Sequence, residues 1–472
     1  MPDLTFLSAV SMAELIRQRK LSPVELVEAH LSKITRLNPK LNAYVHVNSD
    51  AALQQARVDE QSLTQNQILG PLHGVPLSIK SSIDVGGGFR CESGTKLRAG
   101  HVPSPDAPLV SRLRKAGAII LGVTNTPELL MAWETDNLLY GRTNNPWDLL
   151  RTPGGSSGGE AAAIASGCSA GGVGSDGGGS IRVPAHFSGI CGLKPTPGRI
   201  PATGHYPISV GPFALLGVVG PMARTVTDLK ILFEVMQGPD YGDPSAAPVP
   251  LRWPSKDDVK KVRIGYFDDD GRTPVTSETR TAVESAAQSL RRAGFNVERF
   301  RPDGLELARQ LWWKFFGIAG GMLLGPMTKG READLSPMLK EFLSWVAAEP
   351  SHTAQTLLDT WIQRDLVRMQ VFQQMRDYPI LLSPVASIPA FRHGERSWKI
   401  DGQTVRYLDA WSYTEWFNLL GTPAAVVPVA QSAEGLPIGV QISGLPWEEE
   451  MVLAVAAALE AERGEWRQPP IA

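Results

Sequence analysis

Two serines in glycine-rich surroundings are the residues of this sequence best suited to chemistry. Ser156 lies in the run GGSSGG, and Ser180, 24 positions later, directly follows Gly177, Gly178 and Gly179. Consecutive glycines before a nucleophile let successive backbone N–H groups point at one spot, the arrangement that stabilises an oxyanion. A serine hydroxyl also needs a base that takes its proton during attack. The pattern therefore indicates acyl transfer to a serine.

A lysine is the candidate base, because no histidine has an evident place beside the two serines. Lys80 ends the apolar run VPLSI, which reads as a short strand. A desolvated lysine can be neutral and can then accept a proton. Neutrality near pH 7 requires its pKa to fall by roughly three units, about 4 kcal/mol of differential stabilisation. Lys80 is therefore predicted to be buried.

Two other interpretations of the glycine-rich stretch stay open. Residues 172–177, GVGSDG, match the dinucleotide-binding pattern, but a helix-like segment precedes them and no acidic residue follows at the required distance. Residues 154–158, GGSSG, match the nucleophile elbow of α/β-hydrolases, but a turn precedes them and the last histidine, His393, lies in a loop-like segment. The nearby Cys191 and His186 are interpreted as a buried small hydrophobe and a structural residue.

The elements that must position these residues alternate between helix and strand. Ser22-Pro23-Val24-Glu25 is predicted to cap the helix VELVEAHLSKITRL, and PDAPLVSRLRKAGAIILGVTN reads as a helix followed by a strand. Further strands are predicted at LNAYVHV, VPLSIK, KVRIGYF, FNVERF, YPILLSPVA, AAVVPVA and GVQISG. Residues from about 305 to 375 read as a helical excursion rich in aromatic side chains. The pattern predicts one α/β domain over residues 1–472.

Composition narrows the class of protein. A chain that is 43% hydrophobic and 20% charged has enough apolar residues for a large hydrophobic core. Its net charge of −2 gives no electrostatic reason to expect nucleic-acid binding. Its three cysteines are widely spaced, which argues against disulfides or structural zinc and for a reducing compartment. The chain has no secretory leader pattern and no run of 18 apolar residues. A cytoplasmic enzyme without a transmembrane anchor, metal or organic cofactor is expected.

The stretch from Gly154 to Ala185 resembles the signature sequence of the amidase signature family. The family pattern GGSSGG…G-(T/S)-D-x-GG-S-I-R-x-P-A is matched almost throughout, and GPLHGVPLSIKSSIDV resembles the family's lysine-bearing strand. NLLGTPAAVVPV and GLPIGVQISG resemble its carboxy-terminal segments, so the resemblance covers residues 22–460 approximately. It implies an α/β fold in which α-helices cover both faces of a large mixed β-sheet.

The resemblance also implies a Ser–Ser–Lys triad. Position by position, Ser180 is the nucleophile, Ser156 the bridging serine with a cis peptide bond, and Lys80 the base. The implied oxyanion hole consists of the backbone N–H groups of Gly177, Gly178, Gly179 and Ser180.

Three further residues of the motif are expected to support the site rather than to react. They are Ser157, Asp176 and Arg182, the last two as an ion pair or as hydrogen-bond partners of the active-site loops. Ser175 stands where the family usually has threonine, and it keeps the hydroxyl.

Aromatic crowding indicates where the substrate binds. Two tryptophans and two phenylalanines fall within residues 312–316, too many for one buried helix face. Trp312 and Phe316 are therefore predicted substrate contacts, with core packing as the alternative. Met131 and Trp133, in PELLMAWETDN, are a second predicted wall because the family's substrate channel lies near this segment.

The predicted activity is hydrolysis of the C–N bond of a small-molecule amide with a hydrophobic acyl or aryl group, with esters as further candidate substrates. KPTPGRIPATGHYP resembles the branches of fatty acid amide hydrolase and the bacterial aryl acylamidases. A monomer or homodimer is expected, without a nucleic-acid partner. The alternative is the glutamine-hydrolysing A subunit of a tRNA-dependent amidotransferase. A pseudo-enzyme is a third possibility, which the intact lysine and two serines disfavour.

Overall fold

The computed structural model describes residues 3–350, 352–464 and 466–471. Strands in this part of the chain form one large sheet and a separate hairpin. The strands are β1 (Tyr44–Val47), β2 (Pro76–Lys80), β3 (Ile119–Thr124), β4 (Gly171–Asp176), β5 (Cys191–Lys194), β6 (Val218–Ala223), β7 (Arg263–Tyr266), β8 (Asn296–Arg299), β9 (Ile380–Pro384), β10 (Ser397–Ile400), β11 (Gln403–Arg406), β12 (Ala424–Gln431) and β13 (Pro437–Gly444).

The large sheet has 11 strands among the described residues, in the order β1-β3-β2-β4-β6-β5-β12-β13-β9-β7-β8. It is mixed: β3, β2 and β4 run parallel, as do β9, β7 and β8, and the strands between these groups pair antiparallel. The hairpin consists of β10 and β11. Parallel pairs require long crossover connections, which the helices supply.

Helices fill most of the connections. They are α1 (Ala9–Arg17), α2 (Pro23–Leu41), α3 (Ser49–Thr64), α4 (Pro108–Lys115), α5 (Gly158–Ala165), α6 (Arg182–Ser188), α7 (Pro212–Leu216), α8 (Val226–Met236), α9 (Lys256–Lys261), α10 (Ser277–Arg292), α11 (Leu305–Trp313), α12 (Gly320–Thr328), α13 (Pro337–Ala347), α14 (Ala354–Met375), α15 (Ser412–Leu420) and α16 (Glu449–Glu462). A π-helical segment, Lys314–Ala319, joins α11 to α12. Within the described ranges, no helix has both the length and the apolar character needed to cross a membrane.

The sheet is covered by helices on both faces, as predicted. Side chains alternate across a strand, and in β12 Ala425 and Val427 pack into one apolar cluster together with residues of α16. The intervening Val426 packs into another cluster together with residues of α6. Both clusters are buried, which explains why this strand reads as a continuous apolar run.

Many predicted elements are confirmed, including β1, β2, β3, β7, β8 and β9. The predicted start of α2 is also correct: Ser22 caps the helix by accepting from Val24 N and Glu25 N, and Pro23 is its first residue. The glycine-rich residues 171–176, which the pattern did not assign to a strand, form β4 in the middle of the sheet. The GVGSDG sequence therefore lies within β4 and at the residue that follows it, not at the strand-to-helix turn that a dinucleotide site requires.

The order of the strands brings the candidate catalytic residues together. Lys80 is the last residue of β2, which lies between β3 and β4 and runs parallel to both. The carboxyl ends of parallel strands meet at the same edge of a sheet, where α/β enzymes commonly place their sites. Asp176 ends β4 at this edge, and the loop that follows contains the three glycines before Ser180.

Candidate active site

Lys80 is fully buried at the edge of the sheet, surrounded by hydroxyl groups. Its Nζ lies 2.7 Å from Ser156 Oγ, 3.0 Å from Ser157 Oγ and 3.0 Å from Ser175 Oγ. Burial holds the pKa of Lys80 well below its ordinary value, although the nearby carboxyls of Asp176 and Glu160 act in the opposite direction. Hydroxyl groups can donate to a neutral amine, so this environment accommodates uncharged Lys80.

Hydrogen bonds connect the segment that carries Ser156 and Ser157 to Thr126, which follows β3, and to the loop that contains Ser180. Thr126 Oγ1 donates to the carbonyl of Ser156 at 2.7 Å, and the backbone N–H of Ser157 donates to the carbonyl of Ser180 at 3.1 Å. Ser157 Oγ also donates to the carbonyl of Ser175 at 3.2 Å. The Gly155–Ser156 peptide bond is cis. These contacts fix Ser156 between Lys80 and the Ser180 loop.

Ser180 and Ser156 line the same cavity, which has a volume of about 60 Å³. Ser180 is half-buried, whereas Ser156 lies deeper, with 1% of its surface exposed. Most of the wall is apolar, and it includes two predicted substrate contacts, Met131 and Phe316. A substrate carbonyl that enters this cavity reaches Ser180 before it reaches Ser156.

The glycine loop offers backbone N–H groups that have no partner in the described part of the chain. No acceptor among the described residues takes the backbone N–H of Gly177, Gly178 or Ser180. The N–H of Gly179 was also predicted to be an oxyanion donor, but it donates to Asp176 Oδ1 at 2.8 Å instead. Three of the four predicted oxyanion donors are therefore free, and the fourth holds the loop in place.

Trp133 and Trp312, the other two predicted substrate contacts, do not line the cavity. Trp312 Nε1 donates to the carbonyl of Gly177 and Trp133 Nε1 donates to the carbonyl of Gly178, each at 2.8 Å. In a trans peptide the C=O and the N–H of the next residue point in opposite directions. Because the Gly177 carbonyl points at Trp312, the N–H of Gly178 points away from Trp312. Both indoles therefore orient the loop instead of contacting an occupant of the cavity.

Asp176 and Arg182 form a fully buried ion pair beneath the loop. Arg182 Nη2 lies 3.0 Å from Asp176 Oδ1, and Asn418 Nδ2 donates to the same carboxylate at 3.0 Å. The pair has the structural contacts expected of it, because the carboxylate also accepts from the backbone of Gly179 and Ile181. Burial alone would raise the pKa of Asp176, but the Arg182 guanidinium outweighs it and keeps the carboxyl ionised.

Replacing Arg182 with leucine is expected to lower the free energy of unfolding by about 3–5 kcal/mol, because a buried carboxylate is left unpaired. Urea denaturation measures this loss. Arg142→Leu is the matched control, since the Arg142–Asp136 pair is largely exposed and should contribute about 1 kcal/mol or less. A loss as small as the control's in Arg182→Leu would show that Asp176 does not depend on this partner.

The structure adds site residues that the sequence did not point to. Glu160, on α5, is fully buried below Lys80 and accepts from the hydroxyls of Ser78 and Thr124 at 2.5 and 2.7 Å. Burial raises its pKa to about 7, against the effect of these hydrogen bonds and of Lys80. His205 lines the cavity and donates through Nδ1 to the carbonyl of Pro207 at 2.9 Å, which leaves Nε2 as an acceptor in the neutral ring.

The alternative candidates lie elsewhere. His393 contacts Asn144 and is absent from the wall of the Ser156–Ser180 cavity, so it does not serve as the base of a nucleophile elbow. Cys191 is fully buried in β5, and burial raises the pKa of its thiol, in agreement with its interpretation as a small hydrophobe. His186 is also fully buried, accepts from the backbone N–H of Gly439 and contacts the carbonyl of Ile388.

Known proteins resemble this chain over nearly its whole length. The sequence model of the family described as Amidase matches residues 25–453. An indoleacetamide hydrolase of Bradyrhizobium diazoefficiens is 36% identical over 467 residues, which cover 97% of this chain and 86% of that protein. The A subunit of a glutamyl-tRNA(Gln) amidotransferase from Bdellovibrio bacteriovorus is 32% identical over 487 residues, which cover 97% of each chain.

The fold is similar to that of solved amidase signature enzymes. A bacterial aryl acylamidase of that family superposes with a TM-score of 0.85 at 28% identity, covering 97% of this chain and 96% of that one. The similarity therefore extends through the whole sheet and its helices.

Proposed function

The chain belongs to the amidase family and hydrolyses carbon–nitrogen amide bonds, and we propose that its substrate is an amide with a compact apolar acyl or aryl group. In this proposal Ser180 is the nucleophile, Ser156 passes protons, and Lys80 is the base. One observation carries the assignment: the Nζ of buried Lys80 lies 2.7 Å from Ser156 Oγ, and Ser156 lines the same cavity as Ser180.

The acylation step moves one proton along this chain of groups. Ser180 Oγ attacks the carbonyl carbon while its proton passes to Ser156 Oγ and the proton of Ser156 passes to Lys80 Nζ. The N–H groups of Gly177, Gly178 and Ser180 stabilise the resulting oxyanion. The proton then returns through Ser156 to the substrate nitrogen, the C–N bond breaks, and the amine leaves an ester on Ser180. Water attacks this ester by the same route and releases the acid.

The walls of the cavity favour an apolar acyl or aryl group over glutamine. Met131, Phe213, Phe316, Ile208 and Val219 are among its apolar lining residues. Arginine and lysine make the strongest hydrogen bonds to a free carboxylate such as the α-carboxylate of glutamine, and the described wall contains neither. Its one acidic side chain, Asp176, is already paired with Arg182. Its volume, about 60 Å³, lies well below the roughly 300–1,000 Å³ of sites for drug-sized ligands, so a compact group fits best.

A series of acyl anilides of increasing chain length tests this assignment against glutamine. Each buried methylene adds up to about 0.8 kcal/mol, so kcat/KM should rise up to roughly fourfold per carbon for short chains. The rise should stop once the cavity is filled. Glutamine should be the poorest substrate of the purified chain, and phenyl esters of the same acids should show whether amides are preferred.

The alternative remains the glutamine-hydrolysing component of an amidotransferase, which the similarity to the Bdellovibrio protein favours. It predicts the reverse ranking, with anilide turnover flat or falling with chain length and glutamine hydrolysed best. It also predicts that glutamine hydrolysis depends on partner subunits. Either result would replace the apolar amide as the proposed substrate.

A further inference from the structure

A second, larger cleft lies beside Trp312 and shares none of its described wall residues with the Ser156–Ser180 cavity. Its volume is about 1000 Å³, at the upper end of the range for small-molecule sites, roughly 300–1,000 Å³. Residues of α11, the π-helical segment, α13, α14 and α15 form its walls. Trp313 and Trp345 contribute aromatic surface, and Trp312 and Tyr407 lie almost fully buried in the wall. We refer to it as the α15 cleft.

Glu415 lies in the wall of the α15 cleft with only 2% of its surface exposed. Its carboxyl oxygens have no hydrogen-bond or ion-pair partner among the residues that the structure describes. Buried carboxyl groups in folded proteins are normally paired, because desolvation without a partner is costly. Because its carboxyl group faces the open cleft, a hydrogen-bond donor that enters the cleft can bind Glu415 in place of water.

The charges around Glu415 favour a cation as that donor. Four arginines line the walls, and each already binds a carboxylate: Arg272, Arg309, Arg396 and Arg406. Four other charged wall residues have no ionic partner in the described part of the chain. Three of them are acidic and one is basic: Glu349, Asp359, Glu415 and Lys314. When Glu415 is ionised, these unpaired side chains therefore present a net negative charge to an entering ligand.

We propose that the α15 cleft binds an organic ammonium ion, with its N–H groups directed at Glu415 and its carbon skeleton packed against the indole rings of Trp313 and Trp345. A cation is attracted by carboxylates and by the faces of aromatic rings. The cleft already contains one such contact, because the Arg396 guanidinium lies 4.8 Å from the centre of the Tyr407 ring.

The cleft is connected to the loop before Ser180 through two side chains. Trp312 contributes to the cleft wall and donates to the carbonyl of Gly177 at 2.8 Å. Thr414, the neighbour of Glu415 on α15, donates to the carbonyl of Gly178 at 2.9 Å. A ligand that binds Glu415 and packs against Trp313, whose ring centre lies 6.4 Å from that of Trp312, therefore acts on both supports of this loop. The bound ammonium ion is an effector of amide hydrolysis.

Calorimetric titration with phenethylammonium chloride at pH 8.5 tests the site. Glu415→Gln should weaken binding at least about tenfold, because the charge-assisted hydrogen bond is lost. Glu284→Gln, the same substitution at an exposed position of α10 outside the cleft wall, is the control and should change the affinity less than about twofold. The neutral isostere 2-phenylethanol should bind at least about tenfold more weakly than phenethylammonium. Equal affinity of the wild type and Glu415→Gln would overturn the proposal.

A pH series on the wild-type protein tests the same site without a variant. Burial raises the pKa of Glu415 to about 8, with Arg309 and Arg272 acting against it and Asp409 and Glu306 adding to it. The ionised fraction, and hence the affinity, should rise roughly tenfold from pH 7 to pH 9, while an alkylammonium with a pKa of about 10 remains mostly charged. An affinity that stays flat over this range would overturn the assignment to Glu415.

Turnover at saturating amide separates this site from the catalytic cavity. An amine that merely competes with substrate raises KM and leaves kcat unchanged, whereas an effector changes kcat. We expect saturating phenethylammonium to change kcat at least about twofold in the wild type and not in Glu415→Gln. An unchanged kcat in the wild type would overturn the effector role, and this outcome is independent of which amide is the best substrate.

Discussion

Replacing Ser180 with alanine is expected to abolish covalent labelling by a fluorophosphonate and to lower kcat/KM for amides by at least about 10⁴-fold, the scale for removing a catalytic nucleophile. The reason is geometric. Ser180 is more exposed than Ser156, and the N–H groups of Gly177 and Gly178, which have no acceptor among the described residues, lie just before it in the chain. Mass spectrometry of the labelled protein gives the stoichiometry, which should be about one adduct per wild-type chain and none in the variant.

Two serines provide the comparisons for this experiment. Ser209 lines the same cavity but has no contact with Lys80, so Ser209→Ala should be labelled like the wild type. Ser156→Ala should be labelled slowly, because Ser180 remains but its proton has no path to Lys80. Full labelling of Ser180→Ala, together with loss of labelling in Ser156→Ala, would make Ser156 the nucleophile and revive the α/β-hydrolase interpretation.

Local patterns were sufficient to predict many strands but not β4. Its sequence, GGVGSD, is poor in the branched and aromatic residues typical of strands, so it reads as loop. Tertiary packing overrides this preference. A Cβ at position 172 would overlap with the backbone carbonyl of Ser78 in β2 and with Glu160 Oε1 from α5, so only glycine fits there. Both of these elements lie before β4 in the chain, and no local periodicity reveals the contacts.

The candidate site shows the same division between local pattern and tertiary contact. The burial of Lys80 followed from an apolar run that ends at the lysine, which is local information. Its contact with Ser156, 76 positions away, depends on the order of strands in the sheet. Trp312 was expected in the substrate cavity from aromatic crowding, and Trp133 from the resemblance to the family's substrate channel. Their indole N–H groups bind the carbonyls of Gly178 and Gly177 instead, a role that composition does not distinguish from substrate contact.

Replacing Lys80 with methionine is expected to lower kcat/KM by about 10²–10⁴-fold, the usual contribution of a positioned general base. Methionine fits a buried site but has no amine that takes the proton of Ser156. The pH profile provides the more specific result. Burial holds the pKa of Lys80 below its ordinary value, and only the neutral amine accepts a proton, so wild-type kcat/KM should fall as pH drops through that pKa. The residual activity of the variant should lose this acidic limb.

Lys194 provides a matched control for this pH dependence. It is also fully buried, and burial, with a contribution from Arg182, lowers its pKa to about 7, so it titrates in the range where activity is measured. Its Nζ donates to the carbonyl of Pro195 at 3.1 Å and does not line the Ser156–Ser180 cavity. Lys194→Met should therefore keep the acidic limb that Lys80→Met loses. If the limb instead disappears with Lys194 and persists in Lys80→Met, the ionisation that controls catalysis belongs to Lys194, and Lys80 is not the base.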